Sequence, residues 1–249
     1  MGAKHVHQAL NASLKRLGTD YIDLYWMHIW DNVTPVHEIV QVLGDLVRVG
    51  KIRYYGFSDM PAWMAAKAAA IATERGVPGP IAMQVEYSLV ARDVEREHIP
   101  AALDGGMGIV PWSPLAGGFL TGKYSRGEQP SAGRLSGANP LGDSKFTERN
   151  YDILDVLKQV AGELDATPAQ TALAWIARQR GVDTMLLGAS SVKQLEANLT
   201  APEVHLNAEQ SDRLNVASAT TPGVSDSLAS PGSRRMLFGG HDVTAWGES

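Results

Sequence analysis

The chain has 249 residues, 44% hydrophobic and 20% charged, so it can bury a large core, and we expect one globular domain over residues 1–249. Its net charge of −5 gives no basic surface for nucleic acid, and no apolar run approaches the roughly 20 residues of a membrane-spanning helix. Because it has no cysteine and no apolar signal segment, we expect a cytoplasmic protein without disulfides or thiolate metal sites.

The first predicted elements are a helix, a strand and a second helix. Residues 4–17 repeat apolar side chains at helical spacing. The apolar run over residues 21–31 predicts a buried strand that carries His28 at its downstream end. Thr34 and Pro35 then open a helix, with a hydroxyl at the cap and a proline in the first turn. This order of elements is typical of a parallel sheet.

The same alternation continues along the chain. The first four predicted strands begin about 30 residues apart, which is the length of one strand and helix unit. The further predicted strands are residues 52–57, 81–87, 108–112 and 183–188, and the further helices are residues 61–75, 93–103, 147–164 and 168–180.

Two segments interrupt this rhythm. Residues 115–145 are rich in Gly, Ser, Pro and Asn, and a loop of that length in a compact domain is usually functional or disordered. Residues 220–249 show little periodicity, so we predict an irregular tail without secondary structure. Both belong to the single predicted domain, and neither has a pattern that indicates a substrate.

Polar side chains follow every predicted strand and favour a closed barrel over an open sheet. No Gly-x-Gly-x-x-Gly follows the first strand, which argues against a dinucleotide-binding open sheet. In barrel enzymes the active site lies at the carboxyl ends of the strands. The polar and aromatic residues at these ends are His28 and Asp31, Ser58 and Asp59, Gln84 and Glu86, Trp112 and Ser113, and Ser190 and Ser191.

Five blocks of sequence resemble the aldo-keto reductases. They cover most of residues 9–200 in the family's order and spacing. The blocks are LKRLGTDYIDLY followed by His28, GKIRYYGFS, QVEYS, PWSPLAGG, and LGASS followed by Gln194 and Asn198.

The resemblance implies an α/β fold of the (β/α)8 TIM-barrel type that binds NADP(H) and reduces aldehydes or ketones. His28 then orients the substrate carbonyl as the catalytic histidine, and Trp30 lies in the substrate pocket. The family's catalytic aspartate, tyrosine and lysine belong to strands that precede the counterpart of residues 4–17, where this chain begins. We therefore expect a barrel truncated at its N-terminal side to about five parallel strands, without those three residues.

The resemblance also assigns the cofactor contacts. Ser58, Asp59 and Gln84 hold the nicotinamide carboxamide, although many relatives have asparagine at the position of Asp59, and Trp112 stacks on the nicotinamide. Backbone amides next to glycine can approach a pyrophosphate closely, and free amides at a helix N-terminus can hold a phosphate. The residues expected to surround the phosphates and the adenosine are Ser113, Leu115 and Gly117, then Gly188, Ser190, Gln194 and Asn198. Helix capping is the alternative role of these serines.

Three functions remain open at this point. The first is an NADPH-dependent reductase, in which another tyrosine would have to replace the missing acid. Strand alternation points Tyr25 away from His28, and Tyr54 lies near the opposite end of its strand. Tyr87 lies in a block that contacts the cofactor in the family. The second is a cofactor-binding or regulatory module without turnover. The third is a structural protein or fragment without a cofactor. We expect a small-molecule carbonyl substrate, no nucleic acid, no membrane, no metal, and a homo-oligomer formed through exposed sheet edges.

Overall fold

The computed structural model describes residues 2–127, 133–136 and 145–245, and the rest of the predicted loop and tail lies outside these residues. Contacts divide the chain into two compact units, Met1–Ser218 and Ala219–Ser249. The first unit contains α1 (Ala3–Leu17), β1 (Ile22–His28), α2 (Val36–Arg48), β2 (Ile52–Ser58), α3 (Ala62–Arg75), β3 (Ala82–Glu86), α4 (His98–Asp104), β4 (Gly108–Trp112), α5 (Glu148–Glu163), α6 (Pro168–Ile176), α7 (Val192–Leu199) and α8 (Ala208–Ser218). The second contains α9 (Val224–Leu228) and α10 (Pro231–Leu237).

The four strands form one parallel sheet in the order β1-β2-β3-β4, which confirms the parallel α/β architecture and the first four predicted strands. Each strand is followed by a helical connection before the next, as parallel pairing requires. All four carboxyl ends therefore lie along one edge of the sheet.

One face of the sheet is buried in the core. Met27, Phe57, Met83 and Ile109 are pairing partners in a continuous row across the four strands, and each is at most 6% exposed. Because successive side chains of a strand alternate between faces, the residues before and after this row point to the opposite face. One face of the sheet therefore packs against the core, and the opposite face carries the side chains that can form a binding site.

The helices cover the buried face with apolar stripes. In α2, Ile39, Val40 and Leu43 are fully buried, and each contributes roughly 1.5–3 kcal/mol when transferred from water to the core. The helix begins directly after Pro35, whose missing N–H is not needed at a helix start. The predicted cap is wrong, because Pro35 lies at the cap position and the Thr34 hydroxyl donates to Asp31 instead of capping the helix.

The predicted fifth strand, residues 183–188, is wrong. The structure has a single parallel pairing of Val182 with Ile109, followed by hydrogen bonds from the amides of Asp183 to Ile109 and of Leu186 to Pro111. This segment runs beside β4 without forming a regular strand. The few hydrogen bonds to β4 do not continue into a ladder along the segment.

The predicted helix over residues 93–103 is divided in two. A 3₁₀ turn spans Asp93–Glu95, and α4 begins at His98. Pro100 explains the division, because it lacks an N–H and its ring is tolerated only in the first turn of a helix.

The predicted irregular segments also contain helical turns. Residues 116–121 of the long loop form tight turns interrupted at Gly117 and Gly118, whose φ values of 65° and 93° are not helical, and the tail contains α9 and α10. Gly223 starts α9, where its amide bonds to Asp226, and the hydroxyl of Ser230 caps α10. Local caps of this kind fix short helices without an apolar stripe, so a search for periodicity misses them. In the described part of the chain, no helix has the length and hydropathy needed to cross a membrane.

Candidate functional site

Three of the predicted site residues lie side by side at the carboxyl edge of the sheet. His28 is the pairing partner of Ser58, and Ser58 is the partner of Gln84, so β1, β2 and β3 each contribute one residue to the same row. Each lies one position beyond the buried row, which places its side chain on the opposite face. We call this opposite face the open face and define it by Trp26, His28, Ser58, Gln84 and Trp112.

Trp26 forms the floor of the open face, two positions below His28. Its partners across the sheet are small, namely Gly56 and then Ala82. The indole lies over Gly56, because a Cβ at that glycine would come within 2.5 Å of the ring. A large ring beside small neighbours thus leaves a flat surface beneath the row of His28, Ser58 and Gln84, which we call the polar row.

The backbone adopts the left-handed conformation at the end of three of the four strands. Ile29, Asp59 and Ser113 directly follow β1, β2 and β4 and have φ values of 55°, 51° and 53°. Such values are uncommon for residues other than glycine and cost of order 1–3 kcal/mol at unfavourable residues. Positions of this kind cluster at binding and catalytic sites. Here they turn the backbone away from the sheet after each of these strands, at the same edge.

Asp59 connects the histidine and the tryptophan of the predicted site. Its Oδ1 accepts a hydrogen bond from Trp112 Nε1 at 2.9 Å, and its Oδ2 lies 3.6 Å from His28 Nε2. The His28 side chain is 60% exposed and that of Asp59 is 32% exposed. The carboxylate therefore fixes the indole edge of Trp112 while the imidazole stays accessible to a small molecule.

Ser58 provides a test of whether a nicotinamide fits this edge. Ser58 is 1% exposed, and its Oγ is buried without a hydrogen-bond partner among the described residues. An unsatisfied buried hydroxyl costs free energy, so its retention calls for a partner that the protein does not supply. A carboxamide offers both a donor and an acceptor, and Gln84, the neighbour of Ser58, offers a second neutral amide. These residues fit a nicotinamide carboxamide.

The loop after β4 contains a cation that sequence reasoning missed. The Nζ atom of Lys123 lies close to two glycines. It would be 2.9 Å from a Cβ added to Gly118 and 3.2 Å from a Cβ added to Gly133. The lysine side chain is exposed, and it forms no ion pair within the described residues. Lys123 thus adds a positive charge beside glycine backbone, which suits a phosphate. Sequence reasoning could have found it as the first cation after the PWSPLAGG block.

Gly117, predicted as a phosphate contact, has a packing role in the structure. Its φ is 65°, and a Cβ there would come within 2.7 Å of Leu135 Cδ2. Leu135 is buried, and its amide donates to the hydroxyl of Tyr124. The space that the glycine leaves is therefore filled by the protein itself. Ser113 and Leu115 lie where they were expected, directly after β4.

The second predicted phosphate segment forms a capped helix. Ser191 caps α7 by accepting from the amide of Gln194, whose side-chain oxygen in turn accepts from the amide and the hydroxyl of Ser190. Asn198 is buried on the same helix, whereas Gly188 is exposed with free space at its Cα. These bonds match the capping role considered for the serines. The bond from Leu186 to Pro111 leads this segment past the carboxyl end of β4.

Trp30 lies in the loop after β1 as half of an aromatic pair. Its ring centroid is 5.3 Å from that of Trp63 in an edge-to-face arrangement, and its Nε1 donates to the carbonyl of Thr34. Trp63 is 54% exposed, and sequence reasoning did not single it out. The pair presents an apolar surface near the carboxyl end of β1, which is compatible with a wall of a substrate pocket.

The end of the long loop is tied to the same edge by an ion pair. Lys145 Nζ lies 2.6 Å from Oε1 of Glu86, the last residue of β3. The lysine side chain is 12% exposed. Lys145, shortly before α5, is therefore held next to the open face.

The tyrosines of the chain are placed away from His28 or are engaged elsewhere. Tyr25 packs against the core, where burial raises the pKa of its phenol. The pKa of Tyr87 is raised by burial and by its hydrogen bond to Glu95, to which its hydroxyl donates at 2.6 Å. Tyr54 pairs with Leu24, four residues before Ser58, at the far end of the strand. The hydroxyls of Tyr55, Tyr124 and Tyr151 bond to Pro78, Leu135 and Ser125, and the ring of Tyr21 contacts Arg53.

The parallel sheet of four strands with helical connections defines an α/β protein with polar residues at the carboxyl edge of the sheet. The chain belongs to the Aldo/keto reductase family, whose model matches residues 1–219. Membership confirms the resemblance seen in the sequence, and the family's fold is a (β/α)8 barrel, of which the described residues show four strands.

Several curated proteins are similar to this chain over most of its length. A protein of Arabidopsis thaliana named "Probable voltage-gated potassium channel subunit beta" is 36% identical over 218 residues, which cover 82% of this chain and 63% of the relative. A protein of Bacillus subtilis named "Uncharacterized oxidoreductase YrpG" is 36% identical over 84% of this chain and 62% of its own length. Versiconal hemiacetal acetate reductase of Aspergillus parasiticus is 32% identical over 90% of this chain and 65% of its own length. The chain thus spans about three fifths of the length of these relatives.

Proposed function

We propose that this chain binds NADP(H) along the carboxyl edge of its sheet and takes part in the reduction of aldehydes or ketones to alcohols. The single observation that carries the proposal is the buried, unpartnered hydroxyl of Ser58, which lies in one row with His28 and Gln84. Family membership supports a nicotinamide cofactor. Lys123 beside Gly118 supports a phosphate-bearing one.

Each residue at this edge has a proposed role toward the cofactor or the carbonyl substrate. Ser58 and Gln84 hold the carboxamide, and Trp112, fixed at its ring edge by Asp59, provides a flat apolar surface for the nicotinamide. When bound, the reduced cofactor supplies a hydride to a carbonyl carbon. The exposed imidazole of His28 donates a hydrogen bond that orients the carbonyl oxygen, and the pair of Trp30 and Trp63 excludes water from one side.

A cofactor-binding module without turnover is the second candidate. The placement of the tyrosines favours it, because none of the seven offers a phenol next to His28 to protonate the developing alkoxide. The similarity to a protein named as a potassium channel subunit beta points in the same direction. The chain would then sense or store the cofactor for a partner.

Calorimetric titration of the purified chain with NADPH tests cofactor binding. We expect saturable binding that weakens about 3- to 10-fold in Ser58→Ala, since the loss of one hydrogen bond to a buried group is worth about 1 kcal/mol. Ser211→Ala in α8 is the matched control and should bind as the original chain does. Equal affinity of the Ser58 and Ser211 variants would contradict the assignment of Ser58.

A steady-state assay with NADPH and reactive aldehydes separates the two candidates. Turnover that is lost in His28→Ala while NADPH still binds supports the reductase. Binding without measurable turnover at high protein concentration identifies the module without catalysis, and absence of binding would reject both.

A further inference from the structure

The carboxylate of Asp59 is held at a defined place on the open face. Its backbone is in the left-handed conformation, and its Oδ1 accepts from Trp112 Nε1 at 2.9 Å. Its side chain is 32% exposed, so neighbouring groups shield it partly from water. A negative charge therefore lies in the plane of the indole, at the ring edge.

This charge has no permanent positive partner in the described part of the chain. The neighbouring ring is the imidazole of His28, whose Nε2 lies 3.6 Å from Oδ2. Glu86, at the end of β3, is paired with Lys145 at 2.6 Å, and Asp31, in the loop after β1, accepts hydrogen bonds from Val33 and Thr34. Asp59 thus contributes a net negative potential on the surface where Trp112 would receive a flat ring.

We infer that Asp59 makes this surface selective for the oxidised form of the cofactor. The inference rests on the proposed function, because it needs a nicotinamide stacked on Trp112. The oxidised nicotinamide ring carries a positive charge, the reduced ring is neutral, and the rest of the two molecules is the same. The carboxylate attracts the oxidised ring alone, so it changes the ratio of the affinities for the two forms. The contribution of the rest of the cofactor is the same for both.

The selectivity has a consequence for hydride transfer. A site that binds the oxidised form more tightly than the reduced form makes the bound reduced cofactor a stronger hydride donor, because the two equilibria are linked. It also slows release of the oxidised product. An asparagine at this position provides the same hydrogen-bonding oxygen for Trp112 without either effect.

The test compares the dissociation constants of NADP⁺ and NADPH by calorimetry in the original chain, in Asp59→Asn and in Asp104→Asn. Asparagine adopts the left-handed conformation readily and can still accept from Trp112, so the first variant removes the charge alone. Asp104 is exposed at the end of α4, on the amino side of β4, and its variant makes the same change in net charge away from the site.

We expect Asp59→Asn to weaken NADP⁺ relative to NADPH by about 3- to 10-fold, as for a screened charge pair about 6 Å apart near a surface. The Asp104 variant should leave the ratio unchanged, and Asp59→Glu should keep most of the preference. An unchanged ratio in Asp59→Asn with both forms bound would overturn this inference and leave the proposed function intact. Failure of the original chain to bind either form would overturn both.

Discussion

At the scale of single residues, Gly56 determines the shape of the open face. A Cβ at this position would come within 2.5 Å of the Trp26 ring and 2.8 Å of the carbonyl oxygen of Ala82, and a backbone oxygen cannot move aside cheaply. We predict that Gly56→Ala lowers the free energy of unfolding by about 1–3 kcal/mol through overpacking. Urea denaturation measures the change. Gly162→Ala in α5, where nothing lies within 4 Å of a new Cβ, should instead raise stability by up to about 1 kcal/mol. Equal effects of the two substitutions would contradict the tight contact.

The polar row was predictable from sequence, and the contacts of Asp59 were not. His28, Ser58 and Gln84 each end an apolar run, and parallel strands place their carboxyl ends together, so a local pattern is enough. The bond between Asp59 and Trp112 joins residues 53 positions apart, and it depends on a backbone angle that no apolar pattern encodes. Whether the predicted residues contact a cofactor stays a prediction.

At the scale of elements, α6 shows how a cap fixes a helix start. Thr167 accepts from the amide of Gln170, and the Gln170 side chain accepts from the amide of Thr167 in return. We predict that Thr167→Ala lowers the free energy of unfolding by about 1 kcal/mol, because the amide of Gln170 loses its hydrogen-bond acceptor. The exposed Thr73, inside α3, gives the control variant Thr73→Ala, which should not destabilise the chain. A Thr167 variant as stable as the Thr73 variant in chemical denaturation would contradict the cap.

Elements were predicted well where they have partners on both sides or clear end signals. The helix opened by Thr167 and Pro168 is confirmed, as are β2 and β3, which lie between two strands. Residues 183–188 failed because an apolar run does not reveal whether a continuous ladder of hydrogen bonds will form, and here a single bridge at Val182 is followed by bonds at Asp183 and Leu186. The turn at Asp93–Glu95 and the later start of α4 follow from Pro100, a signal that was present in the sequence.

At the scale of the whole molecule, the chain is a member of the Aldo/keto reductase family whose described residues form one parallel sheet of four strands. Residues 1–219 match the family, and the chain spans about three fifths of the length of its similar relatives. The α/β class and the site edge were predictable because they depend on repeated local patterns. The single-domain assignment and the homo-oligomer formed through sheet edges stay predictions, since both depend on contacts beyond any local pattern.

The central claim is that this edge binds the cofactor with Trp112 against the nicotinamide. Titration of the chain with NADPH, followed by tryptophan fluorescence, tests it most directly. We predict saturable quenching in the original chain that is largely lost in Trp112→Phe, while calorimetry still detects binding because a phenyl ring also stacks. The absence of any saturable change up to millimolar NADPH in the original chain would contradict the account.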